Sequence, residues 1–390
     1  MKRTNIFKLN PSEEEEAILL EWADNCSRMF NEINYKRRQS FFEGKIDWNT
    51  DELYHEYTKL IGSATAQQLI NKNNEAWRSF FALLKMWKEG KIDKRPRPPG
   101  YWKDRNTGKR ILRILVRTDS YKLDNKHLKL PFKLKVKWKG KNKWEGKQGR
   151  LEIAQDTLSG QWICYMPVEA EPLHEPKGSK VAYVDLGVKC PIVVEIEGKT
   201  WGYKANSMLA DWWYLTKQIA ECQEELAKIN KKSSKRMRQL YRKRRRRFRD
   251  RINKIVADFV RRCWEEGVAE ILCGDLREIR KDAKFGRKSN TMIHNFWSVG
   301  YQYQRIREKA EEYGIRTRRE DERGSSSECP ICGSKRIVKR GRLFKCMDCK
   351  IEAHRDAVGS VNIGLAQGEV LAAGVINRAV ARPSLISIEA

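Results

Sequence analysis

Two Cys-x-x-Cys pairs, Cys329-Pro-Ile-Cys332 and Cys346-Met-Asp-Cys349, are separated by thirteen residues. Cysteines at this spacing sit at the tips of two tight turns that can face each other and hold one tetrahedral zinc ion. No other stretch restricts its own fold as strongly, because four thiolates must converge on one point. The zinc ribbon this implies is bracketed by two carboxylates, Glu322 before it and Asp356 after it. If those two converge, a structural metal is fixed beside a catalytic one.

The other six cysteines, Cys26, Cys164, Cys190, Cys222, Cys263 and Cys273, are scattered through apolar stretches. That distribution fits small core residues in a reducing compartment. The chain carries 80 Lys+Arg against 51 Asp+Glu, a formal net charge of +29 over 390 residues. Such a charge predicts a polyanionic partner, since each neutralised phosphate releases counterions; a ribosome-type or membrane-surface protein is the plainer alternative. No apolar run reaches the roughly 18 residues of a membrane-spanning helix. The opening Met1-Lys-Arg-Thr-Asn-Ile lacks the apolar core of a signal peptide, so an intracellular protein is expected.

Residues 1–10 read as one strand. Ser12 then offers an N-cap, with Glu15 as its capping-box partner, and Leu19, Trp22, Cys26, Phe30 and Ile33 mark a helix to about Tyr35. A second helical block spans about 51–88 and is ended by Arg95-Pro-Arg-Pro-Pro-Gly100. Its Gln67, Gln68 and Asn71 are either nucleic-acid readers or a solvated helix face. From about 110 to 168 the period changes to two, which predicts five or six short strands and a small β-barrel with a lysine-rich wall at 134–138. The helical block is therefore inserted into the barrel. Residues 171–180 are the clearest linker.

After the linker, Val181-Ala-Tyr-Val-Asp185 is a buried strand holding one carboxylate, and two further strands continue it as a meander. Met208, Trp212, Leu215, Ile219, Cys222, Leu226 and Ile229 form a coiled-coil-type seam whose partner is a helix at about 235–265. Between them, 14 of the 24 residues from Lys231 to Lys254 are Lys or Arg, including Arg242, Lys243 and Arg246. So few interleaved acids favour phosphate binding over a merely solvated face. A strand at 268–274, a helix at about 292–312, a strand at 314–320, the ribbon and a helix from Arg355 follow. The order matches an RNase H-like (RuvC) fold with the ribbon inserted before its last helix. Nucleases of this class gather carboxylates around two divalent cations. Asp185, costly in a buried strand unless it is partnered, and Asp356, at the start of the last helix, suit that role.

Tyr-Val-Asp185-Leu-Gly, Gly-Ser-Ser-Ser-x-Cys-Pro-x-Cys-Gly, Cys346-x-x-Cys349 and His-Arg-Asp356-Ala-x-x-x-x-Asn362-Ile resemble the TnpB family of transposon-encoded RNA-guided endonucleases, similar to compact type V CRISPR effectors. The motifs cover about 180–365. The resemblance implies a multidomain α+β chain. A wedge-type β-barrel would occupy 1–10 and 101–170, and a helical recognition domain 11–100. A RuvC-like nuclease domain would occupy 181–328 and 350–367, with a target-binding zinc ribbon at 329–349 and a loose C-terminal tail at 368–390. It further implies two catalytic Mg²⁺ ions, one structural Zn²⁺ on Cys329, Cys332, Cys346 and Cys349, and a guide RNA from the transposon end. The target would be double-stranded DNA beside a short motif, and the setting a monomeric ribonucleoprotein in the prokaryotic cytosol, associated with the nucleoid and not with a membrane.

One position departs from the family. Its members place a glutamate at the end of the strand before Asp275-Leu276, where this chain has Gly274, and strand alternation turns Asp275 to the opposite face. Glu322, in an Asp-Glu-Arg-Gly context after the neighbouring strand, is the expected substitute, with Asp321 and Glu320 as fallbacks; Glu278 lies further out. The expected set is thus Asp185, Glu322 and Asp356, and Gln67, Gln68, Asn71, Arg242, Lys243 and Arg246 are the nucleic-acid candidates. A nuclease-dead RNA-guided repressor, a CRISPR effector with a repeat-derived RNA, and a guide-free zinc-ribbon binder are the alternatives.

Overall fold

The computed structural model of the chain describes residues 1–276, 279, 286–320 and 327–387. Two compact units, Met1–Glu171 and Pro172–Ala390, each enclose their own apolar clusters.

In the first unit, β1 (Lys2–Asn10) alternates strictly, with Asn5, Phe7 and Leu9 inward. Burying each of the latter two side chains contributes about 2 kcal/mol. Helices α1 (Glu13–Phe42), α2 (Asp51–Ile61) and α3 (Ser63–Lys88) come next. The expected capping box is formed: Glu15 N–H donates to Ser12 Oγ and Ser12 N–H to Glu15 Oε2. Helix α1 runs a turn and more past Tyr35, because Arg37 is buried against Asn73 of α3 at 2.7 Å. Strands β2 (Arg113–Val116), β3 (Lys122–Leu123), β4 (His127–Lys129), β5 (Lys135–Gly140), β6 (Lys147–Gln148), β7 (Leu151–Gln155) and β8 (Trp162–Glu169) complete the unit. Strand β1 pairs antiparallel with both β8 and β5, so the first strand of the chain is central and α1–α3 are an insertion in the sheet. The order is β2-β7-β8-β1-β5-β4-β3, with β6 on β8. Among the described residues no ladder joins β2 to β3, so the expected barrel is, by pairing, a sheet with two edges.

The second unit opens with an antiparallel meander, β9 (Lys180–Asp185), β10 (Val193–Ile196) and β11 (Lys199–Lys204). Helices α4 (Asn206–Lys228) and α5 (Lys235–Glu265) lead to β12 (Val268–Gly274). Short α6 (Arg287–Thr291), a π-helical turn (Met292–Phe296) and α7 (Val299–Glu312) lead to β13 (Arg316–Glu320). The expected single helix at 292–312 is therefore broken, with Phe296 and Trp297 buried at the break. Strand β12 lies parallel to β9 and β13, which requires the helical crossovers. Strands β14 (Ile337–Arg340), β15 (Leu343–Cys346) and β16 (Glu352–His354) form a separate antiparallel sheet, so the ribbon extends to His354 rather than ending at Cys349. Helix α8 (Arg355–Ala366) follows without a break.

Residues 368–387 are not a loose tail. Helix α9 (Ala373–Ala381) buries Ile376, Ala379 and Val380, and β17 (Ser384–Ser387) adds to the main sheet parallel to β11. The stretch is rich in apolar residues, but the partners that order it lie far away in the chain. The main order is β13-β12-β9-β10-β11-β17. The part of the expected linker in this unit is also packed: His174 stacks on Tyr313, and the Trp264 indole donates to Glu175 O at 2.7 Å. In the α4 seam, Met208 through Leu226 are buried as expected, but Ile229 lies past the helix end and is exposed.

Candidate active site

Strand β9 is covered on both faces. Ala182 and Val184 belong to the apolar cluster that also contains Ile255, Val256 and Phe259 of α5. Alternation turns Tyr183 and Asp185 to the face occupied by α8. Two glycines let that helix approach. A Cβ at Gly359 would lie 2.6 Å from Asp185 Oδ2, and one at Gly364 would lie 3.0 Å from the Tyr183 ring. Helix α8 therefore runs back along β9, and Asp356, one turn before Gly359, lies beyond the carboxyl end of that strand. Asp185 thus lies one helical turn from the residue that carries the second expected carboxylate.

Asp356 is 7 % exposed. Arg342 donates to both of its carboxylate oxygens. Arg342 follows Gly341, whose φ of +61° makes the tight turn between β14 and β15. Sequence reasoning missed this arginine, since the only signal was a Gly-Arg turn fourteen residues before the aspartate. Cys190, from the β9–β10 connection, and His354 complete the surroundings; their ligand atoms and that of Asp356 all lie within 4.8 Å of one another. Burial, and then the Asp356 charge, push the Cys190 thiol up to about 12. Burial lowers the His354 imidazole against the opposing pull of Asp356.

The position expected to be one acid short is on this face. Leu272 clusters with Tyr183 and Ile363 of α8, so Gly274, two residues on, faces the same way. Gly274 pairs in register with Glu320 of β13, which puts Glu320 on the α8 face one strand further out. Arg318 bridges Glu320 at 3.2 Å and Glu270 at 3.4 Å. Asp275 leaves the strand with its N–H donating to Glu320 O at 2.7 Å. Glu322 and Asp321, like Glu278, lie outside the described residues.

The four ribbon cysteines form a second cluster. Cys329 Sγ and Cys349 Sγ are 3.5 Å apart, and Cys332 Sγ and Cys346 Sγ 3.6 Å. Four sulfurs about 2.3 Å from a common tetrahedral centre stand at such separations, so the donor set fits zinc. Gly333 and Lys350, each next after a knuckle's second cysteine, take φ of +67° and +61°. Asp348 ties the knuckles together through Ser334 and Arg336.

Deeper under α8, Glu195 of β10 is fully buried and faces Glu369, which follows the helix. A hydrogen bond between two carboxyl groups needs a proton. Burial first, and then Glu369, push Glu195 up to about 8.

The nucleic-acid candidates divide. On α5, Arg244 bonds Thr216 and covers Trp212, while Arg247 and Arg251 pair with Asp211, so one face of the basic run holds α4. Lys243 and Arg246 are exposed and Arg242 is half-buried. In the first unit, Gln67 accepts from Arg117 at 3.0 Å and Gln68 from Arg150 at 3.5 Å; Asn71 is exposed. The lysine wall extends further than its sequence showed. Lys122 stands opposite Lys129 and Lys129 opposite Lys135, an exposed row of like charges across three strands. Like charges directly opposite destabilise a sheet, and of the three only Lys129 has a nearby carboxylate, Asp124 at 3.8 Å, among the ion pairs described.

Residues 165–280 match a family described as a probable transposase, OrfB of the IS605 type, and residues 301–363 match the Cas12f1-like TNB domain. The TnpB-like protein ORF457 of Acidianus two-tailed virus is 34 % identical over 398 residues, spanning 93 % of this chain and 86 % of that protein. Among solved structures, the mini-RNA-guided endonuclease CRISPR-Cas_phi3 covers 95 % of this chain and 93 % of its own at 11 % identity, with a TM-score of 0.48. A Cas12f1–sgRNA–target DNA complex covers 93 % and 98 % at 17 % identity, with a TM-score of 0.37.

Proposed function

The chain belongs to the TnpB-like family, and on that premise we propose that it is an RNA-guided DNA endonuclease with one hydrolytic site at the N-terminus of α8. One observation carries this reading: the Asp185 carboxylate lies against Gly359, one helical turn from Asp356, at the carboxyl end of a mixed sheet. The strand order, three antiparallel strands followed by two parallel ones reached through helices, supports a RuvC-like domain.

Asp185 and Asp356, with Glu322 from the segment after β13, would hold two Mg²⁺ ions, for which hard carboxylate oxygens are suited. When bound, such a pair supplies an activated water and stabilises the leaving oxygen, giving 5′-phosphate products. Arg342 orients Asp356 but bonds both of its oxygens, so it would have to release one of them for an ion to bind, and the missing side chain at Gly359 leaves room for Asp185. Cys329, Cys332, Cys346 and Cys349 would hold zinc and thereby position Arg342, which their sheet carries. The lysine row of β3–β5 and the outward face of α5, Lys243 and Arg246 included, would grip a guide RNA from the transposon end and its duplex with target DNA. Base pairing would supply sequence specificity, and Gln67, Gln68 and Asn71 are candidates for reading a short duplex motif. A monomeric ribonucleoprotein in the cytosol fits this role.

The test is plasmid cleavage by purified ribonucleoprotein with Mg²⁺. Tight target binding without a nick or a cut sinks the nuclease reading. It would leave the second reading, an RNA-guided DNA binder that does not cleave, which Gly274 and the Arg342–Asp356 pair favour.

A further inference from the structure

Cys190, His354 and Asp356 come from different parts of the unit: a loop between strands, the last residue of the ribbon sheet and the first turn of α8. Their sulfur, nitrogen and oxygen ligand atoms lie within 4.8 Å of one another. The tight loop at Gly187, whose N–H donates to Cys190 O at 3.0 Å, sets the thiol there. A Cβ at Gly187 would come within 2.7 Å of that same oxygen. His354 Nδ1 is buried without a hydrogen-bond partner. The orphaned nitrogen is the second observation beside the geometry, because a buried polar atom is normally paired.

The geometry points to a second zinc-type site, built from Cys190, His354 and Asp356 and sharing Asp356 with the proposed Mg²⁺ site, for a borderline-soft divalent cation of the Zn²⁺ class. Thiolate, imidazole and carboxylate are all zinc ligands, at about 2.0–2.3 Å from the ion, and three of them with one open position is a common arrangement. A hard cation such as Mg²⁺ gains nothing from sulfur, so the donor set selects against it. The Cys190 proton must leave when the ion enters. Arg342, whose guanidinium bonds Asp356, must yield as well, so the ion and the arginine compete for one carboxylate. Lys204 is the other cation near His354. If the nuclease reading holds, an ion here withdraws Asp356 from hydrolysis, so Zn²⁺ inhibits; the binding itself does not depend on that reading.

The test counts metal on the full chain equilibrated with micromolar free Zn²⁺. Two zinc ions per wild-type chain are expected, against one for Cys190→Ala and one for His354→Ala, the ribbon keeping its own. Adding Co²⁺ to the ribbon-loaded wild type should produce a new thiolate-to-cobalt charge-transfer band, a readout that needs no variant to fold. Arg342→Ala should bind the second ion at least tenfold more tightly. One zinc per wild-type chain with no new band overturns the site, as does a Cys190→Ala chain that still holds two. Unchanged affinity in Arg342→Ala overturns the competition.

Discussion

The carboxylate of Asp185 lies directly against Gly359: a methyl group on that glycine would stand 2.6 Å from Oδ2. Gly359→Ala should therefore move Asp185 or lift α8. A shift of an ångström in reacting groups costs about 100-fold in rate. Cleavage should fall at least that far while guide RNA and target binding persist, and overpacking should cost about 1–3 kcal/mol in denaturant unfolding. Unchanged cleavage would separate α8 from the chemistry.

On the proposed function, the third carboxylate would be Glu322, in the segment after β13, with Glu320 at the end of that strand as the alternative. Glu320 is on the correct face, but one strand beyond Gly274 and held by Arg318. Neighbouring strands are about 4.8 Å apart, so it stands roughly 10 Å from β9. Glu322→Ala should abolish cleavage and Glu320→Ala should reduce it less than tenfold. The reverse order, measured on one plasmid substrate, would reassign the ligand.

Removing zinc should act locally. The ribbon sheet buries little beyond Phe344, Ala353, Cys329 and Cys346, whereas the apolar cluster of the first unit contains no candidate metal cluster among the described residues. Chelation should expose the amides of 329–354 to hydrogen exchange, leave β1 and β8 protected, and stop cleavage, because Arg342 and the start of α8 lose their support. Global unfolding on chelation would contradict this.

The Glu195–Glu369 pair makes stability depend on pH. Glu195 titrates at about 8 in the folded chain against an ordinary value of 4.5, so the folded state binds its proton more tightly. The resulting stabilisation is complete below about pH 4.5 and is lost as pH rises through 8. Glu197, the other acid facing Glu195, is paired with Lys180 at 2.8 Å. Glu195→Gln keeps a hydrogen-bonding amide and cannot ionise. Its advantage over wild type should grow by at least ~1 kcal/mol between pH 6 and pH 9 in urea titrations. Parallel profiles would refute the shared proton.

The row Lys122, Lys129 and Lys135 should matter for affinity and not for sequence choice. Replacing all three with alanine should weaken guide RNA binding and reduce the slope of log K against log salt by about 2, as each lost phosphate contact removes roughly 0.7–0.9. The sheet itself should become slightly more stable. An unchanged salt slope would assign the row to another face of the complex.

What the sequence determined by itself is local. Paired knuckles, the Ser12–Glu15 cap, the alternation of β1 and the four-three seam of α4 each follow from side chains a few residues apart. Asp185 and Asp356 were legible for the same reason, one as a charge inside an apolar strand and one opening a helix. The tertiary structure decided which residues meet across long separations. Arg342 reaches Asp356 because a ribbon turn folds back on α8, Gly359 matters only because β9 passes beneath it, and Glu195 finds Glu369 only once the last helices are docked. Strand β17 and the row of lysines depend on register between strands that share no sequence signal. Such contacts depend on how separate elements pack, so local periodicity carries no trace of them.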